Sequence, residues 1–291
     1  MTAARRASTD SRQTRRANGS IRESLREYGR GICGGFLFSM PLLYTMEVWW
    51  TGLTVSPERL LAGLVAAYAL LCAYNAYAGL HHDTSLTEIL IDSVEELGLG
   101  LVVSAVVLVM LGRLEDGTTV DVVGQVVFEA LFVAIGVSVG TAQLTGGQGG
   151  GVDEGGGRGR HDSLRAEFTL ALCGALLIAA NVAPTEELLM LAVNTRAPHL
   201  LAIMAMSLLL AGTLLYFSHF RGSARFADTS GADAVLRGTA ITYATALVAS
   251  AGLLWFFGRF SDTAVATGTA QVVVLGLPAT LGASAGRLLL R

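Results

Sequence analysis

Eight stretches of about 20 predominantly apolar residues follow one another along this chain. A helix that crosses ~30 Å of hydrocarbon at 1.5 Å per residue needs about that length. The charged fraction of 15% points the same way, because soluble proteins carry about 25% charged residues. We therefore predict an all-α polytopic membrane protein with eight transmembrane helices. The predicted spans are residues 31–53, 58–80, 90–112, 121–143, 166–190, 197–219, 235–258 and 266–289.

The sequence contains an internal repeat on either side of a glycine-rich segment. Residues 101–118 match residues 247–264 with eight identities, and residues 126–140 resemble residues 272–286. Each half holds four spans, an even number, so both halves should share one orientation, as in parallel-repeat transporters. We predict a parallel 4+4 repeat. The predicted segments are a disordered cytoplasmic tail (1–23), a first four-helix repeat (24–144), a glycine-rich cytoplasmic linker (145–162) and a second four-helix repeat (163–291).

The distribution of arginine predicts the orientation of the chain in the membrane. With the N-terminus inside, the cytoplasmic segments hold 16 arginines and the outer loops hold four. Cytoplasmic loops of membrane proteins carry an excess of positive charge. We therefore expect a multi-pass membrane protein with both termini in the cytoplasm.

Two threonine and glutamate motifs occupy matching places in the two halves. The first is Thr45-Met46-Glu47 and the second is Thr185-Glu186-Glu187, and a proline precedes each motif. Counted from Cys33 in the first copy and from Cys173 in the second, the threonine lies twelve residues later. Glu47 and Glu187 lie fourteen residues after the same cysteines. An ionisable residue inside a membrane segment suggests a functional site, since placing it there costs ~2.5–3.5 kcal/mol or more without a partner.

The depth of these acids predicts a cation site in the outer third of the membrane. Glu129, eight residues into a span that begins outside, falls at a similar level. Carboxylate, hydroxyl and freed backbone carbonyl oxygens are ligands of hard cations, and carboxylates also bind protons. The sequence does not identify the metal or other ion: calcium, sodium or a proton would each suit these oxygen ligands. No organic cofactor is expected. The predicted ligands are Glu47, Glu187, Glu186, Glu129, Thr45 and Thr185.

Two alternatives remain open for the acidic residues. The outer acids could instead sit in interfacial water, with Glu47 beside Trp49 and Trp50. A second acidic group lies near the cytoplasmic start of the third span and could form an inner vestibule or a solvated first helical turn. Its members are Asp92, Glu95 and Glu96.

Small residues recur at the same place in the fourth and eighth spans. Each span carries a Gly-x-Ser-x-Gly sequence, which in a hydrolase would need a strand-to-helix turn and catalytic partners. In a spanning helix, glycines four residues apart let two backbones approach closely. We predict helix packing at Gly136, Gly140, Gly282 and Gly286.

The segments PLLYTMEVWW, APTEE and GASAGR resemble an uncharacterised family of prokaryotic integral membrane proteins of unknown function. The resemblance covers most of the chain after residue 24 and implies membrane topology without implying an activity. APTEE also resembles the Glu-Glu motif of membrane-embedded CAAX-type proteases. That motif requires an arginine where this chain has Leu191, and it requires intramembrane histidines that are not predicted here.

The sequence thus favours a cation channel or a proton-coupled cation exchanger over an enzyme. The alternatives are a Glu-Glu type membrane protease and a membrane scaffold that transports nothing. The expected partners are the lipid bilayer and an inorganic cation, with no nucleic acid and with a homo-oligomer left open.

Overall fold

A computed structural model describes residue 26 and residues 28–78, 85–114, 117–144, 160–219, 232–261 and 263–289. The predicted tail (1–23) and most of the predicted linker (145–162) lie outside these residues. The described part of the chain contains ten α-helices and no strand. The helices are α1 (Tyr28–Leu43), α2 (Met46–Thr54), α3 (Pro57–Ala78), α4 (Leu86–Met110), α5 (Thr119–Leu144), α6 (Arg160–Ala179), α7 (Glu186–Asn194), α8 (Ala197–His219), α9 (Ala232–Phe256) and α10 (Val265–Leu289).

Six of the predicted spans each correspond to one long apolar helix: α3, α4, α5, α8, α9 and α10. The first predicted span (31–53) is not a single helix, because α1 and α2 meet at an angle of 87°. The predicted fifth span (166–190) is also divided, since α6 ends at Ala179 and α7 begins at Glu186. The prediction of eight continuous transmembrane helices is therefore not confirmed in the described residues, because two of the eight predicted spans are divided.

A proline lies at each of the two breaks. Proline has no backbone N–H and its ring clashes with the carbonyl four residues earlier, so it disfavours the continuation of a helix, although α10 continues through Pro278. Pro41 lies in the last turn of α1, and Pro184 lies in the turn between α6 and α7. After each break a threonine with extended backbone, Thr45 or Thr185, precedes the next helix as its N-cap.

The short helices α2 and α7 have the same length and the same pattern of burial. Each contains nine residues and buries two positions four residues apart. These positions are Val48 and Gly52 in α2, and Leu188 and Ala192 in α7. The second pair follows the first by 140 residues, the same offset that separates the two threonine motifs.

The ends of α4 and α9 are built alike. Gly112 and Gly258 have positive φ angles of 67° and 72°, a conformation that favours glycine after a helix end. The next residue in each case is an arginine whose backbone N–H closes the turn, Arg113 to Leu108 and Arg259 to Leu254. Both turns direct the arginine toward one of the short helices.

Close glycine contacts place α5 and α10 at the centre of the bundle. Gly34 of α1 lies against Gly136 and Gly140 of α5, and Gly174 of α6 lies against Gly282 and Gly286 of α10. Residues 128–140 of α5 are all buried. α5 also contacts α2, α3, α4 and α6, and α10 also contacts α7, α8 and α9.

A cluster of four phenylalanines joins α5 to the end of α9. The rings of Phe128 and Phe256 stack with centroids 4.9 Å apart, and those of Phe132 and Phe257 stack with centroids 5.8 Å apart. Burial of aromatic rings contributes strongly to packing energy. This cluster holds together parts of the chain that lie on opposite sides of the glycine-rich segment.

Candidate functional site

The threonine and glutamate motifs are helix starts. Thr45 and Thr185 are the N-caps of α2 and α7, although neither hydroxyl caps the helix it precedes. Glu47 lies in the first turn of α2, and Glu186 and Glu187 lie in the first turn of α7. A negative charge there interacts favourably with the helix dipole. The motifs therefore have a structural reason to exist that is independent of any ligand.

The carbonyl groups at the end of α1 accept hydrogen bonds from within the protein. The hydroxyl of Thr45 donates to the carbonyl of Pro41 at 2.6 Å, and its backbone N–H donates to Leu42 at 3.0 Å. The indole N–H of Trp49 donates to the carbonyl of Leu43 at 2.9 Å. These three bonds stabilise the sharp turn into α2 and occupy the carbonyls that the break exposes.

The second break is closed in a related way. The carbonyl of Val182 accepts from the backbone N–H of Thr185 at 3.1 Å and from its hydroxyl at 2.9 Å. Both predicted threonine ligands thus use their hydroxyl hydrogens on carbonyl groups that lie ahead of the short helices.

Two arginines lie beside the short helices α2 and α7, and the sequence did not predict these contacts. The guanidinium of Arg259 forms an ion pair with Glu186 at 2.9 Å. The guanidinium of Arg113 lies 4.0 Å above the ring of Trp49, in cation–π geometry. The signal in the sequence was the Gly-Arg pair that ends both α4 and α9.

The predicted outer ligands do not converge on one point. Glu47 is half-buried and Glu187 is exposed, and in the described part of the chain neither side chain has a hydrogen bond or an ion pair. Within the part of the chain that the structure describes, no three Asp, Glu, His or Cys side chains are close enough to hold a metal ion. Glu186 is the only one of the six predicted ligands, all of them described, that has an ion pair.

Glu129 differs from the other predicted ligands because it is buried and unpaired. It is 1% exposed, and neither of its carboxyl oxygens has a hydrogen-bond partner among the residues that the structure describes. It lies ten residues into α5, about 15 Å along the helix axis. Such groups are rare in folded proteins and call for an explanation.

The neighbours of Glu129 along α5 place it opposite the break between α1 and α2. One turn earlier, Gln125 donates to the carbonyl of Trp49 at 3.4 Å. One turn later, the carbonyl of Phe132 accepts from Ser39 at 3.3 Å. Since these contacts lie on either side of the break, Glu129 lies at the level of the break along α5.

The environment of Glu129 determines its chemistry. An isolated ionised carboxylate in an apolar medium is strongly unfavourable unless a cation or a proton neutralises it. The adjacent Phe128 and the nearby Phe132 belong to the four-ring cluster, and Leu42 and Val48 of the break pack in the same core. An ionised Glu129 would therefore need a proton or a cation to neutralise it in this apolar core.

The predicted inner acids form a different arrangement. The amide of Asn75 in α3 donates to Glu96 at 3.0 Å and to Ser93 at 3.1 Å. The hydroxyl of Ser138 in α5 donates to the side-chain amide oxygen of Asn75 at 3.4 Å. This buried network links α3, α4 and α5. Glu95 accepts from Tyr28 at 3.3 Å, and Asp92 is exposed.

The sequence also did not predict an ion pair near the end of the second half, between Arg287 and Glu167. Arg287 of α10 is 5% exposed and contacts Glu167 of α6 at 2.6 Å. The same guanidinium donates to the hydroxyl of Thr242 and to the carbonyl of Gly238. An arginine so close to the end of an apolar helix resembles an interfacial residue in the sequence, so nothing there indicated burial.

Comparison with known families agrees with the membrane helices. A family model described as "Putative integral membrane protein (DUF2391)" matches residues 27–290. The match covers most of the chain, and the protein belongs to this family of integral membrane proteins. No curated protein and no solved structure matches the chain.

Proposed function

We propose that the protein is a proton-coupled cation carrier in which Glu129 is the group that exchanges a proton for a cation. The observation that supports this proposal is the burial of Glu129 without a partner for either carboxyl oxygen. Ionisable residues in membrane helices commonly mark ion and proton pathways. A carboxyl group that is closed off from water must exchange its ion through a change of conformation, which favours a carrier over an open channel.

The break between α1 and α2 is the element whose movement would open Glu129. Broken helices in transporters line ion sites near the interface of two repeats. In the described part of the chain, three hydrogen bonds from Thr45 and Trp49 close the end of α1, and the guanidinium of Arg113, stacked on Trp49, adds to them. The outer surface then attracts cations through the carboxylates of Glu47, Glu186 and Glu187. The hydroxyl oxygens of Thr45 and Thr185 belong to the same surface.

Replacing Glu129 should abolish exchange while leaving the fold intact. In liposomes with an internal pH dye, the wild-type protein should move protons when a sodium, potassium or calcium gradient is imposed. Glu129→Leu should lose this flux, because the position can then bind no proton. Leucine is buried at the matching position of the second half, Leu275, and removal of an unsatisfied buried polar group should raise stability by about 1–3 kcal/mol.

Glu58→Gln is the matched control, because Glu58 is an exposed acid in the first turn of α3. It should keep wild-type flux. Flux in the Glu129→Leu variant equal to that of the wild type would exclude the proposed role. A wild-type protein that moves no protons with any of the three cations would favour a scaffold that transports nothing, for which the first-turn positions of the outer acids already give a structural reason.

The proposed topology keeps the parallel repeat and both termini in the cytoplasm of a prokaryotic cell. Each half would cross the membrane four times, with α1 and α6 as the first crossings and with α2 and α7 lying near the outer surface. The matched glycine contacts of Gly34 and Gly174, the matched turns at Gly112 and Gly258, and the equal lengths of α2 and α7 support this arrangement.

Cysteine labelling from outside the cell tests this topology. In a variant without Cys33, Cys72 and Cys173, a cysteine at Gly117 should react with a membrane-impermeant maleimide. A cysteine at Leu86 should react only after the membrane is opened. Both positions are exposed, Leu86 at the start of α4 and Gly117 two residues before α5, so access depends on the side of the membrane. The reverse labelling pattern would contradict the proposed orientation.

A further inference from the structure

A cleft near the start of α8 combines basic side chains with an apolar wall. It has a volume of about 540 Å³, within the range of about 300–1,000 Å³ typical of small-ligand sites. Its lining comes from the end of α7, the first half of α8 and α10. The residues are Asn194, Thr195, Arg196, His199, Ala202, Ile203, Met206 and Leu277.

The charge of the cleft favours an anion. Arg196 and His199 are exposed, and neither side chain forms a hydrogen bond or an ion pair with the residues that the structure describes. No acidic residue lines the cleft in the described part of the chain. Two other arginines of the predicted outer loops do have partners: Arg113 lies on the ring of Trp49, and Arg259 forms an ion pair with Glu186.

The helix ends at the cleft also favour an anion over a cation. Two carbonyls in the last turn of α7 accept side-chain hydrogen bonds, Met190 from Asn194 at 2.8 Å and Leu191 from Thr195 at 2.6 Å. These carbonyls are therefore already occupied. The cleft lies at the positive end of α8, where the helix dipole attracts negative charge.

We propose that this cleft binds a phosphate group, and that its apolar wall selects phosphate carried by an anionic membrane lipid. Arginine binds phosphate oxygens through paired N–H groups, and a histidine N–H can donate to a further oxygen. Ala202, Ile203, Met206 and Leu277 would contact the acyl chain. This role is separate from Glu129. The residue of the first half that matches His199 is Arg59, and its guanidinium lies beside Gly258.

Thermal stability of the purified protein tests this site. Short-chain phosphatidylglycerol at tenfold its dissociation constant should raise the unfolding temperature by about 3–5 °C, and phosphatidylcholine of the same chain length should raise it less. The double variant Arg196→Gln with His199→Gln should lose the difference between the two lipids. Arg59→Gln removes a charge outside the cleft and should retain it.

A second comparison separates lipid from free phosphate. If inorganic phosphate stabilises the wild-type protein as much as the lipid does, the cleft binds phosphate without any contribution from the acyl chain, and the proposed selection of a lipid is wrong. Ala202→Leu narrows the apolar wall and should reduce the effect of the lipid without reducing that of inorganic phosphate. If neither ligand stabilises the wild-type protein more than the double variant, the proposed site does not exist.

Discussion

Replacing Arg287 with methionine is expected to lower the free energy of unfolding by up to about 3–5 kcal/mol, because it leaves the partly buried carboxylate of Glu167 without its partner. Arg287 is 5% exposed and Glu167 is 22% exposed. The guanidinium also bonds to Thr242 and Gly238, so its removal breaks contacts among α6, α9 and α10. The midpoint of thermal unfolding in detergent should fall accordingly.

Arg259→Met provides a matched control, since it removes an arginine from an ion pair of similar length. Glu186, the partner of Arg259, is 64% exposed. Exposed pairs contribute about 0–1 kcal/mol, so this variant should remain close to the wild type. Adding Glu167→Gln to Arg287→Met should recover part of the loss. Equal destabilisation by Arg287→Met and Arg259→Met would show that burial does not strengthen the contact of Arg287.

The long helices could be predicted from the sequence because their length follows from the thickness of the membrane. The division of the first and fifth spans could not, since an apolar window records hydrophobicity and carries no information about direction. The local signal was present nonetheless. Thr45 followed by Glu47, and Thr185 followed by Glu186 and Glu187, are typical of a helix N-terminus, and each motif follows a proline.

The site was predictable only in part, because depth along a helix does not tell which side chain faces the core. Glu47, Glu129 and Glu187 were expected at one level, yet Glu129 alone is buried. The pairing of Glu186 depends on a residue 73 positions away, positioned by the positive φ angle of Gly258. Contacts of this kind arise from the tertiary arrangement and leave no periodic pattern.

Gly174→Ala is expected to destabilise the protein by about 1–3 kcal/mol or more, as overpacking of a tight interface does. A Cβ atom at Gly174 would lie 2.9 Å from the Cα and N atoms of Gly286. These are backbone atoms, so α6 and α10 would have to move apart. Close backbone approach is a main source of helix association in membranes, and the unfolding temperature should fall.

Gly252→Ala is the control for this substitution, because a Cβ atom at Gly252 would have nothing within 4 Å. Alanine there should be neutral or stabilising, by up to about 1 kcal/mol of helix propensity. An unfolding temperature for Gly174→Ala as high as that of Gly252→Ala would contradict the tight contact between α6 and α10.

The same substitution in the first half tests whether the two halves depend on the same contact. A Cβ atom at Gly34 would lie 3.0 Å from the carbonyl oxygen of Gly136 and closer still to Gly140. If the halves are copies of one unit, Gly34→Ala and Gly174→Ala should destabilise by similar amounts. A large loss in one half with none in the other would mean that the crossing of α1 with α5 and the crossing of α6 with α10 contribute differently, although their glycines correspond in sequence.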